Sequence, residues 1–265
     1  MILIAGPCVI ESRDNLFAVA EKLTKYHEDK TIDFYFKSSF DKANRTSIDS
    51  FRGPGIDEGL KLLDAVRQEF GFNLLTDIHD YTQAEAAGSV VDVLQIPAFL
   101  CRQTDLLVAA AKTKCVVNVK KGQFLNPADM KYSVKKILET RGVEGEGYDV
   151  AKANGVWLTE RGSTFGYGNL VVDMRAFPIM REFAPVIFDA THSVQMPGAA
   201  GGSSGGKREF VAPLSRAAAA TGVDGFFFET HTCPNEALCD GPNMLDLVQL
   251  DEAITAIRKI QAALA

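Results

Sequence analysis

Between Phe36 and Ser47 the chain sets Lys37, Lys42 and Arg45 a few residues apart, with Ser38, Ser39, Asn44, Thr46 and Ser47 among them. Three cations with hydroxyl and amide donors on one short segment suit two anionic groups held side by side. Arginine in particular matches phosphate with paired hydrogen bonds. A second polar segment, Glu160–Tyr167, joins Arg161 to small residues that let backbone come close to a ligand. Lys120 and Lys121 add a cationic pair, and Gln95 a neutral polar group. Three of the four histidines, His79, His192 and His231, follow short apolar runs, as do Asp77, Asp189 and Glu229. Cys8, His192, Glu229 and Asp240 together offer a soft thiolate, an imidazole and two carboxylates, a donor set suited to Zn²⁺ or Fe²⁺. His192 and Asp240 are also competent for proton transfer. The plain alternatives are solvated loops and thiols buried as small hydrophobes. His231-Thr232-Cys233 and Cys239-Asp240 have metal-ligand residue types without zinc-finger spacing. Gly201–Lys207 fits G-x-x-x-x-G-K, but Arg208 stands where Ser or Thr would ligate magnesium, so the match reads as chance.

What must position these residues is a repeating unit. Eight short β-branched or aromatic runs recur: Ile2–Ala5, Phe34–Ser38, Asn73–Asp77, Val93–Ile96, Val116–Val119, Val156–Thr159, Val186–Asp189 and Gly225–Glu229. Between them lie segments of helical periodicity, and Leu245–Leu264 closes the chain. Strands apolar on both faces, alternating with helices, imply a parallel sheet covered by helices. Eight such units in about 250 residues predict a single (β/α)8 TIM barrel, one domain over residues 1–265. In that fold the residues just after each strand form the active site, and the candidates named above stand there. Cys8, His192, Glu229 and Asp240 follow strands one, seven or eight, which adjoin in a closed barrel. The Gly-rich stretch at about 197–207 reads as a flexible loop after strand seven.

Composition narrows the class. Of 265 residues, 28 are Lys or Arg and 34 Asp or Glu, a net charge of −6 that disfavours a nucleic-acid partner. A cationic ring in an acidic chain points instead to an anionic substrate. No apolar run is long enough to span a bilayer, so no membrane partner is expected. Met1–Gly6 reads as a buried strand rather than a signal peptide, lacking a basic region. Five cysteines without framework spacing suggest reduced thiols and a cytoplasmic location.

Several segments together resemble one family. Ile4–Ser12, Phe36–Ser47, Gln95–Asp105, Asn118–Phe124, Arg161–Tyr167 and Asp189–Ser193 look like the corresponding parts of the 3-deoxy-D-manno-octulosonate 8-phosphate synthases. Lys42-Ala43-Asn44-Arg45 is the specific element; the related 3-deoxy-heptulosonate 7-phosphate synthases, which use erythrose 4-phosphate on the same barrel, carry Lys-Pro-Arg-Thr there. The resemblance implies condensation of phosphoenolpyruvate with D-arabinose 5-phosphate, with release of inorganic phosphate, on the route to lipopolysaccharide. It implies that Lys37, Lys42, Lys120 and Arg161 bind phosphoenolpyruvate, with Gln95 and Ser39 nearby and Lys42, His192 and Asp240 taking part in catalysis. Asn44, Arg45 and Thr46 would hold the aldose phosphate; Thr46 is often Ser in the family, and either hydroxyl donates to phosphate. Arg102 would reach a neighbouring subunit's site in a homotetramer. The family divides by the residue at position 8, Cys in metal-dependent members and Asn in the others. Cys8 therefore resembles the metal-dependent group, with His192, Glu229 and Asp240 completing a site for divalent Zn, Fe, Mn or Co. Cys233 lies outside that ligand motif. Two other readings stand: the heptulosonate-type synthase, and a non-catalytic barrel that binds sugar phosphates, to which a metal set would be of no use.

Overall fold

The computed structural model describes residues 1–196 and 205–264. Eight parallel strands close into a barrel: β1 (Ile2–Gly6), β2 (Asp33–Lys37), β3 (Asn73–Asp77), β4 (Val93–Ile96), β5 (Val116–Lys120), β6 (Val156–Glu160), β7 (Val186–Asp189) and β8 (Gly225–Glu229). Each pairs with its neighbours in sequence, and β1 closes the ring on β8, with Ile4 opposite Phe227. These strands coincide with the eight expected runs to within a residue at each end.

Side chains alternate along a strand, so each strand sends one set inward and one outward. Outward residues such as Leu3, Phe36, Leu74, Leu94, Val117, Leu158, Phe188 and Phe226 pack against the helices in the main core. Inward, Ile4, Leu75, Val93, Trp157, Ile187 and Phe227 form a separate apolar layer that plugs the barrel. Burying each such side chain contributes about 1.5–3 kcal/mol. The next inward position toward the C-terminal end is polar in most strands, and this switch separates the barrel's plug from its site.

The helices are α1 (Arg13–Glu28), α2 (Ile56–Phe70), α3 (Ala84–Gly88), α4 (Thr104–Ala111), α5 (Met130–Thr140), α6 (Tyr148–Ala153), α7 (Ala176–Arg181), α8 (Val211–Ala220) and α9 (Leu247–Leu264). In α1 the Ser12 hydroxyl accepts from Asn15 N at the start, and Leu16, Val19, Ala20 and Leu23 face the core. The short helices α3 and α6 have too few residues to display a helical period, and sequence patterning did not anticipate them. Two small ribbons pair Ser163–Thr164 with Leu170–Val171 and Gln195–Met196 with Gly205–Gly206. The flexible loop expected at about 197–207 lies, over 197–204, outside the described residues, as does most of the Gly201–Lys207 match. Among the described residues no helix is long and apolar enough to cross a membrane.

Candidate active site

Above the apolar layer the inward positions carry Lys37, Asp77, Gln95, Asn118, Lys120, Thr159, Asp189 and Glu229, all buried. Of these, Lys37, Asp77, Gln95, Lys120 and Glu229 line the floor of a cavity of about 390 Å³ at the C-terminal end of the barrel. Eight of the ten expected substrate-binding residues line it: Lys37, Lys42, Asn44, Arg45, Thr46, Gln95, Lys120 and Arg161. Ser39 and Arg102 do not. Ser39 is buried behind the floor, its hydroxyl donating to Asp77 Oδ1. Arg102 is exposed and lines a separate surface hollow with Tyr132 and Lys136. Of the three histidines expected in the ring, His79 and His192 line the cavity. His231 faces away, its Nε2 2.7 Å from Asn15 and 3.4 Å from Glu11.

The floor is a network of opposed charges. Lys37 Nζ donates to Glu229 Oε1 at 2.6 Å and to Cys8 O at 2.7 Å. Its approach depends on Gly6 at the end of β1, where a Cβ would lie 2.0 Å from Lys37 O. Lys120 Nζ donates to Asp189 Oδ2 at 2.6 Å and sits 4.1 Å over the Phe227 ring. Burial lowers the Lys120 ammonium below its ordinary value, only partly opposed by Asp189 and Glu229. For Lys42 the balance reverses. Burial would push it down, yet the carboxylates of Glu229 and Asp77 hold it well above its ordinary value. Glu229 and Asp189 are likewise held below the usual carboxylate range: burial opposes this, but His192 and the surrounding lysines outweigh it. Around the barrel Thr159 donates to Asn118 Oδ1, and Asn118 donates to Gln95 Oε1, which leaves the Gln95 amide N–H groups for the cavity.

The expected metal ligands converge. Cys8 Sγ lies 3.5 Å from Asp240 Oδ2, and His192 Nε2 lies 3.5 Å from Glu229 Oε2 and 3.8 Å from Asp240 Oδ2. Asp189 accepts from both His192 N and Nδ1, so the ring presents Nε2 to the two carboxylates. Such a carboxylate behind an imidazole is the usual support of a metal-bound histidine. Glu229 Oε2 is buried with no hydrogen-bond partner among the described residues. Asp240 has φ +51, the one non-glycine in the left-handed region among the described residues, and so turns its carboxylate toward the cluster. His192, Glu229 and Asp240 place donor atoms within 4.8 Å of one another and the Cys8 thiol reaches the same Asp240 carboxylate, a donor set that a divalent cation fits. Burial raises the Cys8 thiol well above its ordinary value, a cost that a bound cation would reverse. The second sulfur beside Cys8 is Cys239, not Cys233: Cys8, Cys239 and Asp240 place donor atoms within 4.8 Å of one another. All five cysteines are free.

Several residues that shape the site received no role from sequence, although Asp77, Asp189, Lys121 and Glu160 were expected at the strand ends. Asp189 supports His192 and Lys120, and Asp77 accepts from His79 Nε2 at 2.9 Å. Both stand at inward strand positions, so the period of two that locates Lys37 locates them too. Gln195 bridges the cluster: it accepts from Arg161 and donates to Asp240 Oδ1 at 3.1 Å. Its signal was its place three residues after His192, on the same turn. Lys121, just after β5, and Glu160, the last residue of β6, form a buried pair outside the cavity wall at 3.5 Å. Glu160 Oε1 accepts from Gly162 N at 2.6 Å, which fixes the segment carrying Arg161.

A family profile described as the DAHP synthetase I family matches residues 1–264. Among curated proteins, a 2-dehydro-3-deoxyphosphooctonate aldolase of Campylobacter jejuni subsp. jejuni is 72% identical over 261 residues, 98% of this chain and 96% of that protein. Proteins of the same name from Wolinella succinogenes and Helicobacter pylori are 67% identical over 245 residues and 60% identical over 262. These cover 92% and 98% of this chain, and 93% and 95% of the two relatives. With its closed barrel, its ring of buried lysines and full-length similarity of this degree, the chain belongs to the DAHP synthetase I family, alongside the 2-dehydro-3-deoxyphosphooctonate aldolases.

Proposed function

We propose that this chain joins phosphoenolpyruvate, D-arabinose 5-phosphate and water into 3-deoxy-D-manno-octulosonate 8-phosphate and inorganic phosphate, a step toward lipopolysaccharide. The observation that carries this reading is that the Lys42-Ala43-Asn44-Arg45 element and the buried cations Lys37, Lys120 and Arg161 open onto one cavity. Phosphoenolpyruvate, with a carboxylate and a phosphate, fits the cationic floor. The aldose phosphate fits Asn44, Arg45 and Thr46 at the mouth, which aims its aldehyde inward. Holding both in one orientation removes much of the entropic barrier to carbon–carbon bond formation.

The methylene carbon of phosphoenolpyruvate attacks the aldehyde carbon, and positive character develops at the enol carbon. Water adds there, and collapse of the tetrahedral intermediate breaks the carbon–oxygen bond to phosphate. Lys42, held charged by Glu229 and Asp77, stabilises the negative oxygens and the departing phosphate. His192, with Nδ1 fixed on Asp189, has only Nε2 to offer the cavity, and Asp240 lies beside it for proton transfer. Cys8, His192, Glu229 and Asp240 would hold a divalent cation, Zn, Fe, Mn or Co, which supplies Lewis acidity toward the aldehyde or the attacking water. The orphaned Glu229 Oε2 supports this assignment.

In this reading the enzyme is a cytoplasmic homotetramer in which Arg102 serves a neighbouring subunit. Its exposed side chain, sharing a surface hollow with the exposed ring of Tyr132, supports that placement. Mass spectrometry of the product, with metal-stripped and reloaded protein, tests the proposal. An eight-carbon phosphate formed only by the reloaded protein is expected. A seven-carbon product from erythrose 4-phosphate alone would transfer the chain to the heptulosonate chemistry. Undiminished turnover after stripping would remove the metal from the account.

A further inference from the structure

Arg45 lies in the segment between β2 and α2, where residues 41–55 form neither helix nor barrel strand. A long arginine side chain on such a segment is costly to order when a ligand arrives. Its Nη1 lies 2.7 Å from Cys239 Sγ, which accepts the guanidinium's one side-chain hydrogen bond to the described residues. Arg45 Nε is buried without a partner. Cys239 is itself well fixed. It is 3% exposed and packs with Cys8, Val9 and Met244, against Phe51 of the Arg45 segment. The backbone on either side of it is pinned, with Leu238 N donating to Glu11 and Asp240 O accepting from Asn243 N.

We infer that Cys239 is a positioning residue: its sulfur holds the Arg45 guanidinium at the cavity mouth in the free enzyme, so that the anionic end of the aldose phosphate meets a preformed cation. The inference rests on the reading of Arg45 as an aldose phosphate ligand. It ties the segment after β2 to the segment after β8, where Asp240 also stands, and it gives Cys239 a role other than metal ligand. The sulfur's closeness to Cys8 and Asp240 makes the ligand role the rival to be excluded.

The test is a double-mutant cycle of Cys239→Ala and Arg45→Ala, with Cys239→Ser as the conservative variant, read by steady-state phosphate release and by metal content per chain. Cys239→Ala is expected to raise KM for the aldose phosphate about fivefold to tenfold, the cost of leaving one long side chain unordered, with KM for phosphoenolpyruvate, kcat and metal content unchanged. Cys239→Ser, whose hydroxyl oxygen still accepts from the guanidinium, should recover most of the loss. In the Arg45→Ala background, Cys239→Ala should add nothing. An equal loss in that background, a wild-type KM for Cys239→Ala, or a fall in metal content would overturn the inference. If Cys239→Ala fails to fold, Cys239→Val, which fills the site without offering an acceptor, takes its place in the cycle. A wild-type protein that releases no phosphate with the five-carbon sugar would instead sink the underlying reading.

Discussion

Asp189 accepts from Lys120 on one oxygen and from His192 on both, while wholly buried. Its replacement by asparagine keeps the shape and removes the charge that orients both. Because burial already lowers Lys120, losing Asp189 should leave that ammonium less charged and phosphoenolpyruvate more weakly held. Asp189→Asn is therefore expected to lower kcat/KM about 10- to 100-fold and to weaken metal retention, measured by phosphate release and by metal content after dialysis. Wild-type values for both would contradict the role. At this scale the sequence was legible wherever residue type alone signals chemistry: Lys37, Lys42, Arg45 and His192 announce themselves. Asp77 and Asp189 stood out only by their places after strands, without a role, and Gln195 was not singled out. Each acts through another side chain: Asp189 through Lys120 across the barrel and His192 three residues on, Asp77 through Ser39 and His79, and Gln195 through Arg161 and Asp240.

The elements do two jobs, and the alternation along each strand separates them. Leu75 belongs to the apolar plug, while Asp77, two residues on, belongs to the floor of the cavity. Leu75→Ala should cost about 2–5 kcal/mol of stability, seen as a lowered denaturant midpoint with an unchanged slope. A loss under about 1 kcal/mol would mean the plug repacks freely. Gly6 is the complementary case, since Gly6→Ala would drive a methyl group into the backbone of β2 beside Lys37. The strands were legible because buried β-branched and aromatic runs are strong signals, and eight of them between helices implied closure. The helices α3 and α6 were not, being too short for a periodic face, and His231 was misplaced because a histidine after a strand can turn to either side of it.

For the whole molecule, the buried carboxylates set the response to acid. Asp77, Asp189 and Glu229 are all held below their ordinary values of 3.8 and 4.5. A depressed carboxylate contributes stability that is complete above its unfolded value and is lost as pH falls toward its folded one. The melting temperature should thus hold from pH 7 down to about pH 5 and fall steeply below about pH 4. A flat profile to about pH 3 would contradict the charged floor. Assembly has its own test. If Arg102 completes a neighbour's site, then Arg102→Ala and Lys42→Ala proteins, each nearly inactive alone, should regain activity when dissociated and reassembled together. In mixed tetramers an intact Lys42 then meets a neighbour's intact Arg102. No recovery in hybrids whose composition is verified would remove Arg102 from the site.

In the proposed reaction phosphoenolpyruvate meets a five-carbon sugar phosphate in the cavity that Lys42-Ala43-Asn44-Arg45 borders. Phosphate release from phosphoenolpyruvate, measured side by side with D-arabinose 5-phosphate and with erythrose 4-phosphate, addresses it most directly. Rapid release is expected with the five-carbon sugar and at most a trace with the four-carbon one. Preference for erythrose 4-phosphate, or no release with either sugar, would contradict it.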